Sequence, residues 1–289
     1  MVELSLAVSL AKWQRPGIDL AIANGKPVVM TEFSTVACGG YAGVSDTFGA
    51  TLWGIDYSFQ LASVGYSAIY LHTRERNVTY NLYDYPGDGV DGWTTLPMSY
   101  SYLPVLNALQ SNNGSKVVDL NLENSMNKIG GTNAAYSIYD ATTSEPYRLA
   151  FISFANGGGN VQYTIPPNTL PQTGNNVTVR YLTAPSIQEK WDITWGGKTW
   201  KGATDGNPLN STTGQDLSLD CSVGCTVKVP NPGLALVLVN KTPLPGKSSD
   251  RGNTSSNNPV SNDTGSADPV SIFTVVVSVF LFQIFCTLS

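Results

Sequence analysis

The spacing of hydrophobic positions changes character three times along the chain. In the first 113 residues, stretches with apolar positions three or four apart alternate with short apolar runs. Leu4, Ala7, Leu10 and Ala11 form one helical face with Trp13 at its edge, so residues 1–24 read as a helix broken at Pro16-Gly17, with one more turn over Ile18 to Ala23. Val28-Val29-Met30 then fits a buried strand that ends in Thr31-Glu32-Phe33. After a Gly-rich loop from Cys38 to Gly43, Phe48, Leu52, Ile55, Phe59 and Ala62 recur at helical spacing, with Ser45 expected as the N-cap. Ser67 to His72 reads as a second strand. The order α–β–α–β, with a long helix between short apolar strands, predicts parallel pairing.

A polar stretch from Thr73 to Leu96 follows. Tyr80, Tyr83, Tyr85 and Trp93 argue for an ordered loop with a function rather than disorder. Pro97 opens a helical stretch, re-nucleated at Pro104 and ending near Gln110. From Lys116 to Lys241 the runs are short and alternate, as in Ala135 to Tyr139, Leu149 to Phe154, Val177 to Leu182, Cys225 to Val229 and Leu234 to Val239, with Gly, Pro and Asn between them. That is the pattern of a β-sandwich. Thr242 to Asp268 is rich in Ser, Asn, Thr, Gly and Pro and reads as a linker, and Pro269 to Ser289 is apolar. The expected units are therefore 1–113 (α/β), 114–243 (β-sandwich), 244–268 (linker) and 269–289 (tail).

Composition narrows the classes. The 289 residues have a formal net charge of −5 and only 13% charged residues, which disfavours a polyanion-binding surface and nucleic acid as a partner. Sequons stand at Asn77, Asn113, Asn176, Asn210, Asn240, Asn253 and Asn262, and so many imply secretory glycosylation. Cys221 and Cys225, four apart, read as a local disulfide. A metal pair is the alternative, but the chain has a single histidine, so no metal site or other cofactor is expected. Cys38 is left as either a free loop thiol or the partner of something outside this chain, and Cys286 lies in the apolar tail. The uncharged run from Val270 to Ser289, preceded by small residues from Ser261 to Ala267, has the layout of a glycosylphosphatidylinositol signal; a retained transmembrane helix is the alternative. The N-terminus shows no signal-peptide pattern although sequons and tail both call for secretion, so a start upstream is expected. The expected location is the outer face of the plasma membrane or the cell wall.

Glu32 stands where a strand hands over to a loop, the catalytic rim of a (β/α) barrel. A carboxylate that merely binds an amide or an arginine is the alternative. The string Thr31-Glu32-Phe33-Ser34, followed by Cys38-Gly39-Gly40-Tyr41-x-Gly43-x-Ser45-Asp46-Thr47-Phe48-Gly49-Ala50-x-Leu52-Trp53-x-x-Asp56-Tyr57, resembles glycoside hydrolase family 79, the retaining β-glucuronidases and heparanase-like enzymes, and its fungal branch most of all. The likeness runs on through Ala62 to Gly65, and Asp192 to Trp200 resembles the family's C-terminal β-domain. It implies the C-terminal portion of a (β/α)8 barrel followed by a β-sandwich, a β-glucuronoside substrate, and Glu32 as nucleophile.

Retaining hydrolysis also needs an acid/base carboxyl about 5 Å away. In the family this is a Glu after an Asn, and this sequence contains no Asn-Glu dipeptide. No acid/base is therefore assigned, Glu75 is set aside, and the chain alone is expected to be weak or inactive. His72 is a substrate contact or a structural hydrogen-bonding group. Tyr80 lies in Val78 to Asn81, which resembles the segment where the family places a tyrosine near the sugar carboxylate, or else it packs in its loop. Ser34, Gly39, Gly40 and Ser45 are expected to shape the loop, Ser34 next to substrate. Arg74 and Arg76 are candidates for a uronate carboxylate, and Asp46 for the helix N-terminus. Trp191, Trp195 and Trp200 could stack on sugars, although core packing is the commoner use of such residues. A non-catalytic surface glycoprotein that binds carbohydrate is the second reading.

Overall fold

The computed structural model describes residues 4–84, 94–112, 114–122, 130–171, 176–203, 205–239 and 274–277. Helices α1 (Leu4–Lys12) and α2 (Arg15–Ala23) open the fold. The break expected at Pro16-Gly17 falls at Trp13-Gln14, and Pro16 itself interrupts no helix. It lies in the first turn of α2, where its missing N–H is no loss.

Strand β1 (Val29–Phe33) passes through a loop into α3 (Phe48–Val64), which returns to the parallel strand β2 (Ala68–Leu71). Gly65 closes α3 at φ 105°; a Cβ there would lie 2.7 Å from Ile22 Cδ1, so α2 needs the glycine. α3 is buried along nearly its whole length and serves two cores. Phe48, Leu52, Ile55 and Phe59 face one, and Ala50, Tyr57, Leu61 and Val64 face the other, which contains Ile69 and Leu71 of β2. Beyond β2, a short pair, β3 (Tyr83–Asp84) with β4 (Thr94–Thr95), brackets part of the long polar loop; Tyr85 and Trp93 lie outside the described residues. A 3-10 turn (Pro97–Ser101) and α4 (Tyr102–Leu109) complete this half.

The second half is all β. It comprises β5 (Ser115–Asp119), β6 (Asn133–Asp140), β7 (Pro146–Ser153), β8 (Asn160–Ile165), β9 (Asn176–Thr183), β10 (Thr194–Trp195), β11 (Lys198–Thr199), β12 (Leu209–Asn210), β13 (Leu217–Asp220), β14 (Cys225–Pro230) and β15 (Gly233–Val239). All but β8 and β14 form one nine-stranded sheet in the order β12-β11-β10-β9-β15-β7-β6-β5, with β13 also paired to β9. β8 and β14 pair separately and cover one face of that sheet; α3 and α4 cover the other.

Alternation sorts the side chains between these layers. On the central strand β15, Leu234 and Leu236 face the helices while Ala235 and Val237 face β8 and β14. The strand is buried on both sides, which explains its unbroken apolar run. The helix-facing core joins Phe59, Val105 and Leu109 to Tyr136, Ile152 and Leu236, so it crosses the expected boundary at residue 113.

Among the described residues the parallel sheet has three strands. The third is β16 (Thr274–Val277), taken from the apolar tail and paired to the free side of β2. The sequence suggested a tail separate from any folded unit; a β-branched run beside an open strand edge finds a partner there instead. The 244–268 linker, the rest of the tail and Cys286 lie outside the described residues. No helix among those described is long and apolar enough to cross a membrane.

Candidate active site

β1 and β2 are parallel, so their carboxyl ends lie at one edge of the sheet, and the loops that leave them meet there. Glu32 is the penultimate residue of β1 and His72 directly follows β2. The His72 N–H donates to the Phe33 carbonyl at 3.0 Å, which extends the pairing to the edge. His72 Nδ1 lies 3.7 Å from Glu32 Oε1. The Glu32 side chain is 50% exposed and that of His72 only 11%, so the imidazole backs a carboxylate that faces solvent.

The His72 ring lies 5.4 Å from that of Tyr80. Tyr80 is buried, and burial pushes its hydroxyl's pKa up; the Arg74 side chain and the Gly39 backbone, both hydrogen-bonded to it, pull the other way. Arg74 also bonds Glu75 at 2.8 Å. Glu75 is thus the arginine's partner. Glu32, His72 and Tyr80 thus lie in sequence of contact at this edge, with Arg74 bonded to Tyr80.

Asn81 was missed by sequence reasoning, and it shapes this loop. It is buried; its Oδ1 accepts from Thr73 Oγ1 at 3.0 Å and from the Arg74 N–H at 2.9 Å, and its Nδ2 donates to the Glu75 carbonyl at 2.9 Å. An Asn one residue after the candidate tyrosine was the available signal.

The loop after β1 is clasped from the same side. Thr79 donates from N and Oγ1 to the Gly39 carbonyl, at 3.1 and 2.8 Å. Gly40, at φ 79°, has no room for a Cβ, which would lie 2.3 Å from Thr79 Oγ1. Ser45 was expected to cap α3. It instead lies buried inside the loop, accepting from Thr35 Oγ1 at 2.7 Å and from the Tyr41 N–H at 3.0 Å, while Thr47 holds the cap position without a side-chain bond. Ser34 Oγ, near Glu32 in sequence, is buried with no partner among the described residues. Cys38 is disulfide-bonded, not a free thiol. No cluster of potential metal ligands exists among the described residues.

Comparisons with known proteins bear on the second half. Residues 135–236 match the family model described as the glycosyl hydrolase family 79 C-terminal beta domain. The match lies within the all-β half. A β-glucuronidase of Aspergillus niger is 24% identical over 237 residues, covering 75% of this chain and 42% of that protein. A β-glucuronidase of Neurospora crassa is 38% identical over 50 residues, covering 17% of this chain and 9% of that protein. Among solved structures, a 4-O-α-L-rhamnosyl-β-D-glucuronidase from Fusarium oxysporum, determined with Rha-GlcA, shares the fold at TM-score 0.64 and 21% identity, covering 82% of this chain and 50% of that one. The chain thus spans half or less of each of these relatives.

The β-domain reaches the loop after β1 and the start of α3 through residues 185–192. The first turn of a helix has unpaired N–H groups. Here the Phe48 N–H donates to the Glu189 carbonyl at 2.7 Å and the Gly49 N–H to the Ile187 carbonyl at 2.8 Å. The β-domain therefore caps α3. Asp46 does not cap the helix; its Oδ1 accepts from the Gly43 N–H at 2.6 Å. Trp195 is buried in the core under Arg180; Trp200 is partly buried and packs edge-on against Tyr100 at the core's edge; Trp191 is exposed. Cys221 and Cys225 form a disulfide. Sequon residues Asn77, Asn176 and Asn210 are exposed. Asn113, Asn240, Asn253 and Asn262 lie outside the described residues.

Proposed function

We propose that this chain supplies the nucleophile side of retaining β-glucuronoside hydrolysis, within the C-terminal part of a (β/α)8 barrel. The observation that carries the reading is Glu32 at the carboxyl end of a parallel strand, half exposed and backed by His72 at 3.7 Å. The Glu32 carboxylate attacks the anomeric carbon, the bond to the aglycone oxygen breaks, and a glycosyl ester forms; water then releases the sugar. Tyr80 lies against His72 and feels the Glu32 charge, and Arg74 hydrogen-bonds Tyr80; together they suit a uronate group, to which a guanidinium binds strongly. Ser34 Oγ, buried and without a partner among the described residues, is the loop hydroxyl assigned to substrate in this reading. The proton for the leaving group comes from a carboxyl not assigned among these residues. Disulfides at Cys38 and at Cys221–Cys225, with exposed sequons, support passage through the secretory pathway.

A 2-fluoro glucuronoside with an activated leaving group tests the nucleophile, because it traps the ester and needs little acid assistance. The expected result is a mass increase on the peptide containing Glu32 that is absent in Glu32→Gln. Labelling of another carboxylate overturns the assignment.

A carbohydrate-binding role without catalysis is the second reading. It is favoured by a crevice in the β-domain lined by Thr183, Thr194, Thr199, Ser211 and Thr213, with Trp191 exposed in the same domain. Glycan binding unaffected by Glu32→Gln, with no labelling of the wild type, would select it.

A further inference from the structure

The junction between α3 and the large sheet holds a buried polar cluster that the proposed chemistry does not use. Asp56, on α3, is fully buried. Tyr136 on β6 donates its hydroxyl to Asp56 Oδ1 at 2.5 Å. Gln60, one helical turn after Asp56, donates its Nε2 to the Tyr136 oxygen at 2.8 Å and to Asp119 Oδ2 on β5 at 2.9 Å. Two buried acceptors are left over, Asp56 Oδ2 and Gln60 Oε1, neither with a partner among the described residues. An ionised Asp56 adds buried charge to that deficit. A single proton on Oδ2 removes the charge and turns one surplus acceptor into a donor.

We infer that Asp56 carries a proton in the closed fold and acts as a proton-dependent fastener between α3 and the β-domain, holding at acid pH and loosening when the proton leaves. The electrostatics agree. Burial pushes the carboxyl up to about 7; Tyr136 opposes the rise and Asp119 adds to it. Tyr136 and Asp119 are the titratable groups that act on Asp56 from the facing strands. The folded-state value lies above that of the unfolded chain, so the folded state binds the extra proton between them. Stability is therefore full at the acid end of this window and falls as pH rises toward about 7. The inference does not depend on the proposed catalysis.

The test uses the full chain and its thermal unfolding midpoint from about pH 5 to about pH 8. Asp56→Asn mimics the protonated carboxyl. The wild-type midpoint should fall across this range relative to that of Asp56→Asn; parallel midpoints overturn the inference. Should the variant fail to fold, the infrared carbonyl band of a protonated carboxyl in the wild type decides. Its presence at the acid end and loss at the alkaline end support the fastener, and its absence at the acid end refutes it.

Discussion

Lys190 and Asp46 meet across the junction between the β-domain and the loop that follows β1, with Nζ 2.6 Å from Oδ2. The other Asp46 oxygen holds the Gly43 N–H, so the lysine steadies the loop that leads from Glu32 to α3. The two side chains are 38% and 19% exposed, which places the pair near the top of the range for surface ion pairs. Lys190→Ala should cost about 1 kcal/mol in urea unfolding. It should also speed amide exchange at Gly43, while Lys190→Arg keeps the wild-type rate. Unchanged exchange in the alanine variant would show that the contact does not order the loop.

Gly40→Ala should damage the site locally. Its backbone lies in the left-handed region, and the new methyl would run into Thr79 and Ser45. The strain and overlap together should cost about 1–3 kcal/mol. Trapping at Glu32 should fall with it, and wild-type stability with wild-type labelling would sink this view of the clasp.

The Glu189 carboxyl titrates in the opposite sense to Asp56. Backbone N–H groups of Trp191, Asp192 and Lys190 hold its pKa below the usual Glu value. Its contribution is present above the unfolded-chain pKa and lost as pH falls through the lowered one. Glu189→Gln should therefore lie below the wild type near neutrality and converge with it in acid. A gap that stays constant on acidification would remove Glu189 from the account.

Reducing Cys221–Cys225 should have a modest effect. The sequence separation is only 4, and a loop so short restricts the unfolded chain by about 2 kcal/mol. The double Cys→Ser variant should remain folded with a lowered unfolding midpoint. Failure to fold would mean that the bridge also supports the neighbouring β-domain core.

Local signals carried most of the elements and pointed to several residues of the candidate site. Alternation located the long β strands, and the 3.6-residue period located α3 through Phe48, Leu52, Ile55 and Phe59. Glu32, His72 and Tyr80 could be read from strand ends and a resembling motif. What stayed hidden was long-range. Lys190 and Asp46 are separated by 144 positions, and Gln60 and Tyr136 by 76. No periodicity encodes such pairs. Ser45 looked like a helix cap because the capping residue types also build tight loops, and only the packing of Thr35 and Tyr41 around it decides between the two. The second apolar face of α3 was obscured by the first, since a helix buried on both sides lacks a clean polar stripe.

The large sheet has helices on one face and a strand pair on the other, and this bears on how such chains can be cut and recombined. Severing the chain at residue 113 would leave Tyr136, Ile152 and Leu236 without the side chains of α3 and α4 that cover them. A β-domain expressed alone would then present a greasy wall to water and associate with itself. Grafted onto a foreign partner, it would need a host that repeats the Phe48, Leu52, Ile55 and Phe59 ridge. Mutational drift on either side of this seam is therefore constrained by the other, and the two halves should be exchanged between relatives only as a pair.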